Sequence, residues 1–152
     1  MNSKNDINNS IIVKLQGGLG NQLFQYALGR NLSLSRNLPV KYDSSWFNNQ
    51  TKRKYELDKF QTSVNTSSEY EAEELRQYQK KSWLRHPIHN IVKADPKKYI
   101  QEKNICFNPG ILSIKPPAYL DGHWMSEKYF SKIVAQLRDD LWPKDKPTGE
   151  NA

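Results

Sequence analysis

Three glycines within four positions, Gly17, Gly18 and Gly20, constrain this chain more than any other feature. They follow the apolar run Ile11-Ile12-Val13-Lys14-Leu15-Gln16, which predicts a short buried strand. They precede Asn21 and Gln22 and a helical pattern in which Leu23, Phe24, Ala27, Leu28 and Leu32 share one face. Strand, glycine turn and helix together bring bare backbone N–H groups to a helix N-terminus. Such a place suits an anion or a sugar hydroxyl, because first-turn N–H groups lack internal partners and the helix dipole favours negative charge. Glycine lets a ligand approach the backbone and permits positive φ angles.

The familiar nucleotide motifs do not fit this spacing. A G-x-G-x-x-G beginning at Gly18 requires glycine at position 23, which is Leu23, and no Gly-Lys-Ser/Thr of a P-loop occurs. Asp43, after the second predicted strand at residues 39–42, stands where a ribose-binding acid would. A tight turn with Asn21 as N-cap accounts for one or two glycines. It does not account for three followed by two amides that each donate and accept hydrogen bonds.

Further along, strand and helix signals alternate. A first helix is predicted from Asn21 to about Arg36, an extended segment over 55–60, and a helix from Glu69, capped by Ser68 and stopped by Pro87. Strands are predicted over 104–107 and 118–120, with turns at Asn108-Pro109-Gly110 and Pro116-Pro117. Ser126 is the candidate N-cap of a last helix, with Phe130, Ile133, Val134, Leu137 and Leu141 on one face and Pro143 as its stop. This alternation predicts an α/β fold, an open parallel sheet flanked by helices, Rossmann-like. Residues 1–10 read as a polar extension, 11–142 as the α/β domain and 143–152 as a disordered polar tail.

With 36% apolar residues, the core is expected to be modest and the surface polar. The single cysteine, Cys106, cannot form an internal disulfide and reads as a small buried apolar residue. The first ten residues do not resemble a targeting segment, and the apolar run after them is far below a membrane span, which places the chain in the cytoplasm. The net charge is +7, and residues 76–103 hold eight cations against two acids. This basic segment reads as a solvated helix face, as an attraction to an anionic membrane surface or donor, or as a nucleic-acid surface with Tyr78, Trp83 and Tyr99 for stacking. No nucleic-acid motif accompanies it, and nucleic acid is not expected as a partner.

Residues 11–30 resemble the amino-terminal signature of the α-1,2-fucosyltransferases, glycosyltransferase family 11. The stretch Tyr119-Leu120-Asp121-Gly122-His123-Trp124-Met125-Ser126-Glu127-Lys128-Tyr129-Phe130 resembles that family's second recurring block, with His123 and Met125 where the family more often has Tyr and Gln. The resemblance runs from about residue 11 to 142. It implies the amino-terminal half of a GT-B-type glycosyltransferase, with GDP-fucose as donor, a galactose-containing acceptor, transfer to the 2-hydroxyl with inversion, and no metal or other cofactor. The family's His-x-Arg-x-Gly-Asp block, which holds the donor diphosphate, is absent from these 152 residues. A second half is therefore an expected partner, and weak association with a membrane surface is a further expectation.

Within this reading Gly17, Gly18, Gly20, Asn21 and Gln22 line the substrate cleft. Trp124 either stacks on a sugar ring or packs beneath the first loop. Asp121 and His123 are the catalytic candidates by chemical type. Two classes of function remain open: an enzyme that acts with a second half, and a non-catalytic remnant that binds a glycan or a partner. A basic nucleic-acid module is a weaker third.

Overall fold

The computed structural model describes residues 7–83 and 98–145, with side chains described for 7–77 and 98–145. Four strands form one parallel sheet: β1 (Ile11–Lys14), β2 (Val40–Asp43), β3 (Tyr99–Gln101) and β4 (Ala118–Asp121), in the order β2-β1-β4-β3. The helices are α1 (Leu19–Arg36), α2 (Glu69–Trp83) and α3 (Val134–Asp140). The arrangement is Rossmann-like, as the alternation of strand and helix signals predicts.

The side-chain period of two divides the sheet into two faces. Ile11 and Val13 of β1, Val40 and Tyr42 of β2, and Ala118 and Leu120 of β4 form one core with Tyr26, Leu28 and Leu32 of α1. Ile12 and Tyr119 face the other way and meet Ala72 and Leu75 of α2. Ile7 joins this second core and Ser10 is fully buried, so the described end of the polar extension is packed onto the domain. The start of the predicted tail is likewise tied down, because the Lys144 N–H donates to Lys59 O at 2.9 Å. Residues 146–152 lie outside the described residues.

Helix α1 begins at Leu19, two residues before the expected start. Gly18 takes the N-cap position without a side-chain cap, and Asn37 ends the helix in a left-handed conformation at φ 51°. Its sheet-facing side carries Gln22, Gln25 and Asn31 beside the apolar residues. Leu23 and Phe24 instead flank a groove of about 530 Å³ with Phe130, Val134, Leu137 and Trp142. Helix α2 starts with a reciprocal capping box: the Glu71 N–H donates to Ser68 Oγ at 3.2 Å, and the Ser68 N–H to Glu71 Oε2 at 2.9 Å. Its expected stop at Pro87 lies outside the described residues.

Three predicted elements take other forms. Residues 57–59 make a 3₁₀ turn rather than an extended segment. Residues 104–107 are not a strand: Ile105 is 76% exposed and Cys106 is exposed, because the edge strand is formed earlier, at Tyr99–Gln101. The last helix is broken into 3₁₀ turns at Glu127–Tyr129 and Ser131–Ile133 before α3 begins. Phe130 (φ −141°, ψ 12°) interrupts it, where the Tyr129 carbonyl turns inward to accept from Asn31 Nδ2 at 2.8 Å.

Candidate functional site at the strand ends

The register places Val13 opposite Leu120 and Lys14 opposite Asp43, so the carboxyl ends of β1, β2 and β4 lie side by side. The pleat turns Lys14, Asp43 and Asp121 toward the α2 face of the sheet. There Lys14 and Asp121 border a pocket of about 470 Å³, closed by Arg76 of α2 and Trp46 of the 3₁₀ turn Ser45–Asn49, with Tyr99 and Tyr119 on the sheet side. In open α/β sheets ligands gather at this edge. The pocket is polar and aromatic, a composition suited to sugar hydroxyls and the flat face of a sugar ring.

Asp121 sits at the centre of the site. Lys14 Nζ donates to both of its oxygens, at 3.1 and 3.2 Å. Gln16 Nε2 adds a bond to Oδ1 at 3.3 Å, and the Tyr99 hydroxyl donates to Oδ2. A carboxylate offers about four lone-pair sites, and all are engaged. Asp121 is thus an organising charge whose oxygens are already occupied by the protein. Asp43 is used in the same way. It accepts from the Tyr119 hydroxyl at 2.6 Å and the Ser45 N–H at 2.9 Å, with the Arg76 guanidinium 3.9 Å away. This buried carboxylate has no room for a ribose.

Burial first, and then the neighbouring carboxylate, push the Tyr99 and Tyr119 hydroxyls far above the ordinary phenol range. Both remain protonated donors. The two rings stack at 5.4 Å with an interplanar angle of 7°.

The glycine loop follows β1 at the same edge of the sheet, and none of its residues lines the pocket. Gly17 has φ +82°, and a Cβ there would collide with the Asn21 side chain. Gly18 faces Arg53, whose guanidinium would be 3.3 Å from an added Cβ, whereas a Cβ on Gly20 would meet nothing within 4 Å. Gly20 is exposed, so the backbone here is open to a ligand. Gln22 is different. It is fully buried, with Nε2 donating to Gly17 O and Lys54 O and Oε1 accepting from the Glu56 N–H. Its amide shapes the loop and is not available to a substrate, contrary to the sequence expectation.

The second block is also held from within. Glu102 accepts from the His123 N–H at 2.7 Å and the Trp124 N–H at 3.2 Å, fixing a turn in which Trp124 has φ +56°. Trp124 is 2% exposed and packs edge-on against Tyr129 at 6.0 Å. It supports the turn and presents no face to a sugar, which resolves its two readings in favour of packing. His123 is half-buried beside this turn. Gln25 joins the two blocks: Oε1 accepts from the Gln16 N–H at 2.9 Å and Nε2 donates to Gly122 O at 3.0 Å.

Sequence reasoning passed over Lys14, Arg76, Tyr99 and Glu102 as site residues. Lys14 carried a usable signal, a lysine at the end of an otherwise apolar strand. Of the basic segment, Arg76 belongs to this site; Arg85, Lys93 and Lys97 lie outside the described residues, as do the side chains of Lys80 and Lys81. Among the described residues no group of three or more His, Cys, Asp or Glu is placed to hold a metal, and no helix is long and apolar enough to cross a membrane.

The fold and site define a Rossmann-like α/β domain with a polar, aromatic-rimmed pocket at its strand ends. The chain is similar to an α-1,2-colitosyltransferase of Escherichia coli, with 28% identity over 136 residues. That alignment covers 88% of this chain and 45% of the relative, so the chain spans less than half of the relative's length. No family model matches the chain. No solved structure gives a significant match.

Proposed function

We propose that this domain forms one wall of a glycosyltransferase cleft and binds the acceptor glycan in the strand-end pocket. The observation that carries the reading is the colinear similarity to a sugar transferase through both sequence blocks, which meet at this pocket. The reaction is transfer of fucose, or of colitose as in the relative's name, to the 2-hydroxyl of a galactose-containing glycan. GDP-fucose is the donor in the fucosyl case. The donor diphosphate is held by a partner half that carries the His-x-Arg-x-Gly-Asp block. Here Lys14 and Tyr99, both held by Asp121, orient acceptor hydroxyls, Trp46 offers a ring face, and Gly20 lets the sugar approach the backbone.

A second reading, a glycan-binding domain without catalysis, is favoured by the filled acceptor capacity of Asp121. Both readings predict that a galactose-terminated disaccharide shifts the Trp46 indole NMR signal of the purified chain. An unchanged spectrum at saturating disaccharide would overturn the pocket assignment. Incubation with GDP-fucose separates the two readings of the wider protein. Turnover by the chain alone would refute both the external donor site and the non-catalytic reading. Turnover only when the chain is combined with a segment carrying a His-x-Arg-x-Gly-Asp block would establish the enzyme.

A further inference from the structure

A second pocket, of about 290 Å³, lies against the C-terminal half of α1, some 20 Å along the helix from the glycine loop at 1.5 Å per residue. Arg36, Lys128 and Lys132 line it together with Ser35 and Ser131, and no carboxylate is among its described lining residues. None of the three cations forms an ion pair among the described residues. Arg36 uses one N–H on the Ile114 carbonyl, leaving others of its five donors. Lys128 Nζ stands 5.8 Å from the centre of the Phe107 ring, which holds the ammonium beside the pocket.

Asn31 supplies an independent observation. It is 5% exposed, its Nδ2 donates to Tyr129 O at 2.8 Å, and its Oδ1 is buried without a hydrogen-bond partner. The carbonyl partner fixes the amide orientation, since only the NH₂ group can donate to it. Asn31 thus lines, with an unfilled acceptor, a pocket whose charged lining residues are all positive. A bare oxyanion would satisfy the cations and leave Asn31 unmet. A neutral sugar would satisfy Asn31 and leave the cations unmet.

We infer that this pocket binds a small phosphorylated sugar, its phosphate facing Arg36, Lys128 and Lys132 and a ring hydroxyl donating to Asn31 Oδ1. The negative end of the α1 dipole opposes the anion, but it amounts to about half a charge against three cations. The site lies apart from the strand-end pocket and does not depend on the glycosyl-transfer reading.

The test is calorimetric titration of the purified chain with glucose 6-phosphate, glucose and inorganic phosphate, repeated on the variant K128Q/K132Q. Both lysines are exposed, so the variant is expected to unfold at the wild-type temperature. Glucose 6-phosphate should bind at least about tenfold more tightly than either fragment, and the variant should lose about tenfold or more of that affinity. Higher salt should weaken binding. Equal affinity for phosphate and glucose 6-phosphate would overturn the sugar-phosphate assignment. Absence of binding at millimolar ligand, or binding unchanged in the variant, would overturn the site.

Discussion

Lys14 Nζ lies 3.1 Å from Asp121 Oδ1 and ties the last residue of β1 to the last residue of β4, although 107 positions separate them in the chain. Neither side chain is fully buried, at 23% and 11% exposure, so solvent tempers the pair. We predict that Asp121→Asn costs about 2 kcal/mol, less than the 3–5 kcal/mol typical of one partner removed from a fully buried pair. Lys14→Met in the same background should cost less than it does alone, as a double-mutant cycle by urea unfolding would show. Galactoside binding should fall in each single variant; an unaffected affinity in both would remove this pair from the ligand site.

The Gln25 amide is the second element to test. Gln25→Ala leaves the Gln16 N–H and the Gly122 carbonyl without their partner. Each such group costs about 1–3 kcal/mol when it stays buried. The expected loss is about 3 kcal/mol, with hydrogen exchange at the Gln16 amide accelerated more than at the strand amides. A loss below about 0.5 kcal/mol would show that water replaces the clip without penalty.

Two glycines of α1 should respond in opposite ways to alanine. At Gly29 a Cβ would stand 2.6 Å from Tyr42 Oη and 2.8 Å from its ring, and Tyr42 is 2% exposed and cannot move aside. Gly29→Ala should destabilise by about 1–3 kcal/mol. At Gly20 a Cβ meets nothing, and alanine should stabilise by about 0.5 kcal/mol through helix propensity. If a sugar approaches the backbone at Gly20, the same variant binds galactoside more weakly despite its higher melting temperature. Thermal melts and one titration decide both points.

Acid should unfold the domain through two carboxylates. Burial raises the Asp140 carboxyl, but hydrogen bonds from Tyr26, Arg30 and Gln136 outweigh it and hold the group below the ordinary aspartate value. Glu71 is held low in the same way, against burial, by Lys41 and Ser68. Because the folded values lie below the unfolded ones, the unfolded chain takes up these protons first. The stabilisation is full above the ordinary carboxylate range of about pH 4 and is lost as pH falls through the folded values. Asp140→Asn should flatten the fall in urea midpoint between pH 6 and pH 3; an unchanged slope would refute the role of Asp140.

The sequence made β1 and β4 legible as short apolar runs bounded by turn residues, and β2 through Val40 and Tyr42 alternating with polar residues after the turn at 36–38. β3 was not, since Tyr99-Ile100-Gln101 is short and follows a lysine-rich stretch. Ile105-Cys106-Phe107 carried the stronger strand pattern, yet β4 had already gained its neighbour in β3, and Ile105 was left in solvent. The even apolar spacing from Phe130 to Leu141 predicted one helix, and tertiary demand at Tyr129 broke it, because Asn31 of α1 needs that carbonyl. The site was half visible. Both blocks announced an edge with ligand-binding character, but which polar groups would be spent on the protein itself depended on contacts across the sheet. Gln22, Asp43 and Trp124 were absorbed in that way.

The Gln25 clip has a consequence for how such chains diverge. One rigid amide spans the turn after β1 and the turn after β4, so a residue inserted in either would pull its backbone partner out of reach. Related sequences should keep the length of both turns fixed together. The turn after β1 is also braced from the stretch that follows β2, where Arg53 stands beside Gly18 and the Lys54 carbonyl accepts from Gln22, so the length of that stretch should be held as well.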